Sequence, residues 1–226
     1  MPIVEILTSS GFGSLLGMRH ALEPDHLAAV STLVSHERNG WKAAWLGLCW
    51  GAGHSISLLV AGAVLLALRA EMPPPVATAF EFAVAVMLVV LGARAILRAA
   101  REGASGPSLL HRHGWFVHRH AAGAPHLHIG HWTLARRPLL VGAIHGLAGS
   151  GALTALVLTT LPSTAARLSY VLLFGLGSTA GMAILSGLLG WPLARLGAHH
   201  AVARGITLVV GAVSITLGLA WGYRLL

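Results

Sequence analysis

Six apolar runs constrain this chain more than any other feature. A mostly apolar segment of about 20 residues reads as a helix that crosses a hydrocarbon core about 30 Å thick. The runs cover Ile3–Val34, Ala43–Leu68, Val76–Ala99, Leu139–Leu161, Leu168–Leu189 and Ala201–Tyr223. Pro73, Pro74 and Pro75, then Pro162 and Pro192, punctuate three of the connections. Only 10% of the 226 residues are charged, against about 25% in a soluble domain. The expected fold is all-α: a polytopic membrane protein with six transmembrane helices.

Charge sets the expected orientation. The net charge of +8 lies mostly in short loops beside the apolar runs, so it reads as a positive-inside bias and not as a nucleic-acid surface. One side collects eleven of the basic residues: Arg38, Lys42, Arg94, Arg98, Arg101, Arg112, Arg119, Arg136, Arg137, Arg195 and Arg204. The other side holds Arg69, Arg167 and Arg224. The first side is expected to be cytoplasmic, with both termini outside. No basic stretch precedes the first run and Glu5 is its first charge, so a cleavable signal peptide is not expected. The single cysteine, Cys49, excludes an internal disulfide and a dithiol relay.

The first run is too long for one straight helix. Its 32 residues would extend about 48 Å, against a core of about 30 Å. Pro24 lacks a backbone N–H and disfavours a helical Glu23, so a break is expected near Glu23–Asp25. The surrounding string, Met18-Arg19-His20-Ala21-Leu22-Glu23-Pro24-Asp25-His26-Leu27, carries imidazoles and carboxylates inside the apolar run. Such groups are costly in hydrocarbon and mark function, and they suit a divalent transition metal. On an ideal helix His20 would lie about 140° from Asp25 and about 120° from His26. Only a local break turns all three toward one ion.

The two halves echo each other at an offset of about 125 residues. His20-Ala21-Leu22 matches His145-Gly146-Leu147, and Trp50-Gly51-Ala52-Gly53-His54-Ser55 matches Phe174-Gly175-Leu176-Gly177-Ser178-Thr179. Three runs per half invert the second half relative to the first. The expected plan is a 3+3 inverted repeat: residues 1–100 form a first three-helix repeat with a broken first helix, 101–137 a His-rich cytoplasmic linker, and 138–226 a second three-helix repeat. Secondary transporters of this kind bind substrate at the repeat interface.

The expected metal ligands are His20, Asp25 and His26, with His54 as a fourth from the next run. Gly51 and Gly53 are expected on one face for close packing, and Ser55 as the partner that holds an imidazole in its tautomer. His145, from the opposite half, is either a further ligand or a helix-to-helix hydrogen bond. Glu23 is either a ligand or the partner of Arg19 four residues earlier, the pair being preferred. Nitrogen and carboxylate oxygen without thiolate suit Ni²⁺, Co²⁺ or Zn²⁺ and disfavour Cu(I). In the linker, His111, His113, His118, His120, His126, His128 and His131 have spacing suited to metal capture. Trp115, Phe116 and Trp132 suggest that part of the linker lies on the membrane surface.

His20-x4-Asp25-His26 resembles the HX4DH signature of the nickel/cobalt transporter family (NiCoT). Gly53-His54-Ser55 resembles that family's second motif, and Ile144-His145-Gly146-Leu147-Ala148-Gly149-Ser150 resembles the short, six-span UreH-type branch. Glu23 and Pro24 depart from the pattern, standing where Asp and Ala are usual. The resemblance implies a permease, not an enzyme, that moves Ni²⁺, and with it Co²⁺, across the cell inner membrane, and it implicates His20, Asp25 and His26. The cargo is the only metal expected; there is no prosthetic group. The expected partners are the cation, the lipid bilayer and a cytoplasmic metallochaperone or nickel-enzyme maturation factor. No Walker A loop is present, so drive would come from the membrane potential, about 2.3 kcal/mol per charge per 100 mV. The same residues would serve efflux. The remote alternative is an intramembrane serine protease built on Gly103-Ala104-Ser105-Gly106. That string lies in the polar linker, and the last run contains no histidine.

Overall fold

A computed structural model describes residues 2–35, 37, 39–102, 111–113, 116–118, 127–129, 132–161, 163–196 and 200–226, with side chains for 11–35, 37, 39–101, 135–149, 161, 163–192 and 201–226. Seven helices occur among the described residues: α1 (Pro2–His20), α2 (Pro24–Val34), α3 (Gly40–Leu68), α4 (Pro74–Glu102), α5 (Arg136–Thr160), α6 (Thr164–Leu196) and α7 (His200–Arg224). The linker adds two short antiparallel hairpins. β1 (His111–His113) pairs with β2 (Phe116–His118), and β3 (Leu127–Ile129) with β4 (Trp132–Leu134). The spans are all helical, and the two small hairpins are confined to the linker between α4 and α5.

The spans Gly40–Leu68, Pro74–Arg101, Thr164–Pro192 and Ala201–Arg224 are long and apolar enough to cross a membrane. Their outer faces carry exposed aliphatic side chains such as Val60, Leu97, Leu176 and Val209, while Asp25, His26, His54, His145, Ser178 and Ser186 are buried. Apolar outside and polar inside suits lipid, where ionisable groups turn to the bundle interior. The chain is membrane-integrated.

The first run breaks slightly earlier than the spacing predicts. α1 ends at His20, and Ala21–Glu23 turn through two tight bonds, Leu22 N–H to Arg19 O (2.9 Å) and Glu23 N–H to His20 O (3.0 Å). Glu23 is extended (φ −65°, ψ 147°), as the residue before a proline prefers. Pro24 then takes the first position of α2, where a missing N–H costs nothing. Asp25 and His26 thus sit in the first turn of α2, not in unwound chain.

Glycines set the helix crossings. A Cβ on Gly17 (α1) would strike the Phe174 carbonyl oxygen, and one on Gly142 (α5) that of Trp50. One on Gly177 (α6) would strike the Ser14 carbonyl oxygen, and one on Gly53 (α3) that of Leu139. An offset of 125 takes Gly17 to Gly142 and Ser14 to Leu139, and an offset of 124 takes Trp50 to Phe174 and Gly53 to Gly177. The contacts of α1 on α6 are thus the contacts of α5 on α3. Both of these pairs run parallel: Gly13 meets Tyr170 and Gly17 meets Phe174, while Gly142 meets Trp50 and Gly146 meets His54. α3 against α6 and α4 against α7 run antiparallel, as Gly47 beside Ser186 with Gly175 beside Ser55, and Gly92 beside Gly211 with Gly218 beside Ala85, require. Gly51 and Gly53 do not share a face. Gly51 approaches Thr179 of α6 and Gly53 approaches Leu139 of α5, because two residues turn a helix by about 200°.

Candidate metal centre

The break lets the end of α1 and the start of α2 present their imidazoles to one another. The His20 and His26 ring centroids are 4.4 Å apart, and His54 of α3 lies 5.3 Å from the first and 5.4 Å from the second. His145 of α5 stacks 4.4 Å from His26. Two overlapping groups result, His20–His26–His54 and Asp25–His26–His145, and in each the potential ligand atoms lie within 4.8 Å of one another.

Hydrogen bonds divide the labour between these groups. His20 Nδ1 lies 3.0 Å from Glu23 Oε1, and His26 Nδ1 3.1 Å from Asp25 Oδ1. Ionised carboxylates only accept, so each ring N–H donates and the lone pair is left on Nε2. A carboxylate behind an imidazole is the arrangement that fixes tautomer and ring direction at metal sites. His20 Nε2, His26 Nε2 and both His54 nitrogens are buried without a partner among the described residues. Each orphaned buried polar atom costs about 1–3 kcal/mol. A divalent cation bound by three imidazole nitrogens would engage one orphaned nitrogen on each of the three rings at once. Asp25 is already engaged on both oxygens, since its Oδ2 accepts from His145 Nε2 at 3.0 Å.

His20, Asp25, His26, Glu23, His54 and His145 lie close together in the structure, and two of the expected pairings differ. Glu23 pairs with His20, three residues back, and not with Arg19, whose side chain is exposed. Ser55 does not hold an imidazole: its Oγ donates to the Gly175 carbonyl at 2.6 Å and lies 2.8 Å from Thr179 Oγ1. The serine points across to α6 because it sits one residue beyond His54, about 100° around the helix. Ser55→Ala is expected to lower stability by about 1 kcal/mol, read by thermal unfolding, with the arrangement of the imidazoles unchanged.

Trp50 was missed. It is fully buried, its ring 5.4 Å from His26 and 5.7 Å from His145. Its spacing of four residues before His54, one helical turn, was the available signal. Phe174, its counterpart at the 124-residue offset, lies 5.3 Å from His20. In the linker, His111, His113, His118 and His128 fall on the short strands and their side chains are outside the described set. His120, His126, His131, Trp115 and Ser105 lie outside the described residues.

No family profile and no solved structure matches the chain. The chain is 31% identical over 231 residues to "Urease accessory protein UreH" of Bacillus sp. (strain TB-90), covering 100% of this chain and 95% of the relative. The chain belongs to the UreH-type branch of the nickel/cobalt transporter family. Two Arabidopsis thaliana relatives, "Chloroplast protein FOR GROWTH AND FERTILITY" 2 and 1, are each 29% identical to this UreH-type chain over 79% and 81% of its length. It spans about half of each, 46% and 50%.

Proposed function

We propose that this UreH-type protein is a permease that imports Ni²⁺, and with it Co²⁺, across the cytoplasmic membrane, holding the ion at His20, His26 and His54. The observation that carries this reading is the convergence of three imidazoles, His26 and His54 buried and His20 partly so, whose buried nitrogens have no partner among the described residues, two of them braced by carboxylates. Three nitrogens with carboxylates behind them suit these borderline ions. The Bacillus relative is named for urease, in keeping with nickel as cargo.

In this reading α1 and α2 together make the first of six crossings, and the two halves form a 3+3 inverted repeat. The matched glycine contacts and the alternation of helix directions support that plan. A cavity of about 830 Å³ reaches from His20, His26 and His145 past Tyr170 to Glu81 and Trp221. Glu81 lies near the start of α4 and Trp221 near the end of α7. With both termini outside, that end of the bundle faces outward, and an outward cavity over the ligands suits influx. The linker would lie in the cytoplasm, where its histidines would pass the ion to a metallochaperone.

Accumulation of radioactive nickel in intact cells tests this. His20→Ala is expected to lower accumulation about tenfold or more relative to wild type, the usual range when a metal ligand or its support is lost. Higher accumulation in the variant would mean efflux through the same site. Equal accumulation would remove the imidazoles from transport.

A further inference from the structure

Of the seven acidic residues in the chain, Glu23, Asp25 and Glu81 line a cavity that also takes in His20, His26 and His145. The first two brace histidines. Glu81 is used by neither the motif nor the ligand set. It sits seven residues into α4, within a span apolar enough to cross a membrane, about 10 Å below the helix start. Its stripe continues at i+3, i+4 and i+7 with Val84, Ala85 and Leu88, all buried, so the carboxylate is directed to the bundle interior and not to lipid. It is half-buried and has no hydrogen-bond or ion-pair partner among the described residues. A carboxylate in such a position is retained for an ion or a proton.

The rest of the cavity lining indicates which. Arg19 is its single guanidinium against three carboxylates, so the wall is acidic on balance. In its lining His26 Nε2 and His145 Nδ1 are buried without partners among the described residues, and His26 is only 1% exposed. Those nitrogens call for a cation, and Glu81, near the start of α4, lines the same cavity. We infer that Glu81 is the capture residue of the transporter: it draws a hydrated divalent cation into the cavity and holds it before the imidazoles replace its water. This rests on the reading of the imidazoles as the metal site. Hydrated divalent ions are readily held through their waters by a carboxylate, and an acidic cleft raises the local cation concentration.

A capture role separates half-saturation from maximal rate. Glu81→Gln is expected to raise the half-saturating Ni²⁺ concentration for uptake about fivefold, with the maximal rate kept, and Glu81→Asp to restore most of the loss. The wild-type half-saturation is expected to rise with ionic strength and that of Glu81→Gln to rise less, since steering is screened by salt. Wild-type half-saturation in Glu81→Gln, or a fallen maximal rate at unchanged half-saturation, overturns the proposal. If Glu81→Gln fails to reach the membrane, a wild-type half-saturation indifferent to salt overturns it equally. His26→Ala, measured alongside, keeps the two readings apart. Lost uptake in His26→Ala with normal half-saturation in Glu81→Gln ends the capture role alone, whereas normal uptake in His26→Ala ends the imidazole site on which it rests.

Discussion

Purified His26→Ala is expected to bind nickel at least a hundredfold more weakly than the wild type. His26 is the residue common to both potential ligand groups. Its ring is within 5.5 Å of His20, His54 and His145, and it carries one of the two hydrogen bonds that hold Asp25. Alanine removes a ligand, frees the Asp25 oxygen that oriented it, and opens space beside Trp50. A hundredfold loss corresponds to about 2.7 kcal/mol. His20→Ala is expected to lose less, about tenfold, because His26 keeps Asp25 behind it and His54 is untouched. Titration calorimetry in lipid nanodiscs reads both affinities, and thermal unfolding reads the fold, which His26→Ala is expected to retain. Wild-type affinity in His26→Ala would dismantle the three-imidazole site.

Gly142→Val is expected to leave no folded protein in the membrane. The crossing of α5 on α3 has no room for a side chain there. A Cβ would strike the Trp50 carbonyl oxygen and come within 2.7 Å of Trp50 Cδ1, and Trp50 is itself fully buried against His26. Backbone cannot yield as a flexible side chain can, so the helices must separate. Such overpacking costs about 3 kcal/mol or more. Gly17→Val meets the matching obstacle at Phe174 and should fail in the same way. Gly205, whose Cβ would meet nothing within 4 Å, is the control: Gly205→Val should accumulate normally. The yield of monodisperse protein in detergent separates these outcomes, and full yield of Gly142→Val would refute the close crossing.

The helices and the break were legible because they depend on local chemistry. Apolar run length sets the spans, and Pro24 alone forces Glu23 out of the helix. The ligands were legible because costly groups in an apolar run call for an explanation. What escaped the sequence are directions and partners. Gly51 and Gly53 look alike in sequence yet serve opposite faces. Ser55 finds its partners, Gly175 and Thr179, more than a hundred residues away, and nothing in its spacing to His54 discloses that. The Glu23 partnership turned on whether the chain closes tightly after His20, which the two short turn bonds decide. Glu81 gave no signal because one carboxylate near the end of an apolar run reads as a boundary until α4 is known to turn it inward.

The break between α1 and α2 is written by an imino acid, which has no amide hydrogen with which to heal it. At the matching stretch of α5, Gly146-Leu147-Ala148-Gly149, the helix is continuous, and a Cβ at Gly149 would meet nothing within 4 Å. The α1–α2 segment is thus bent at an imino acid, while the matching stretch of α5 is straight with open space beside its glycine. Of the two matching stretches, the freedom to flex falls to the glycine one, just beyond the His145 that donates to Asp25.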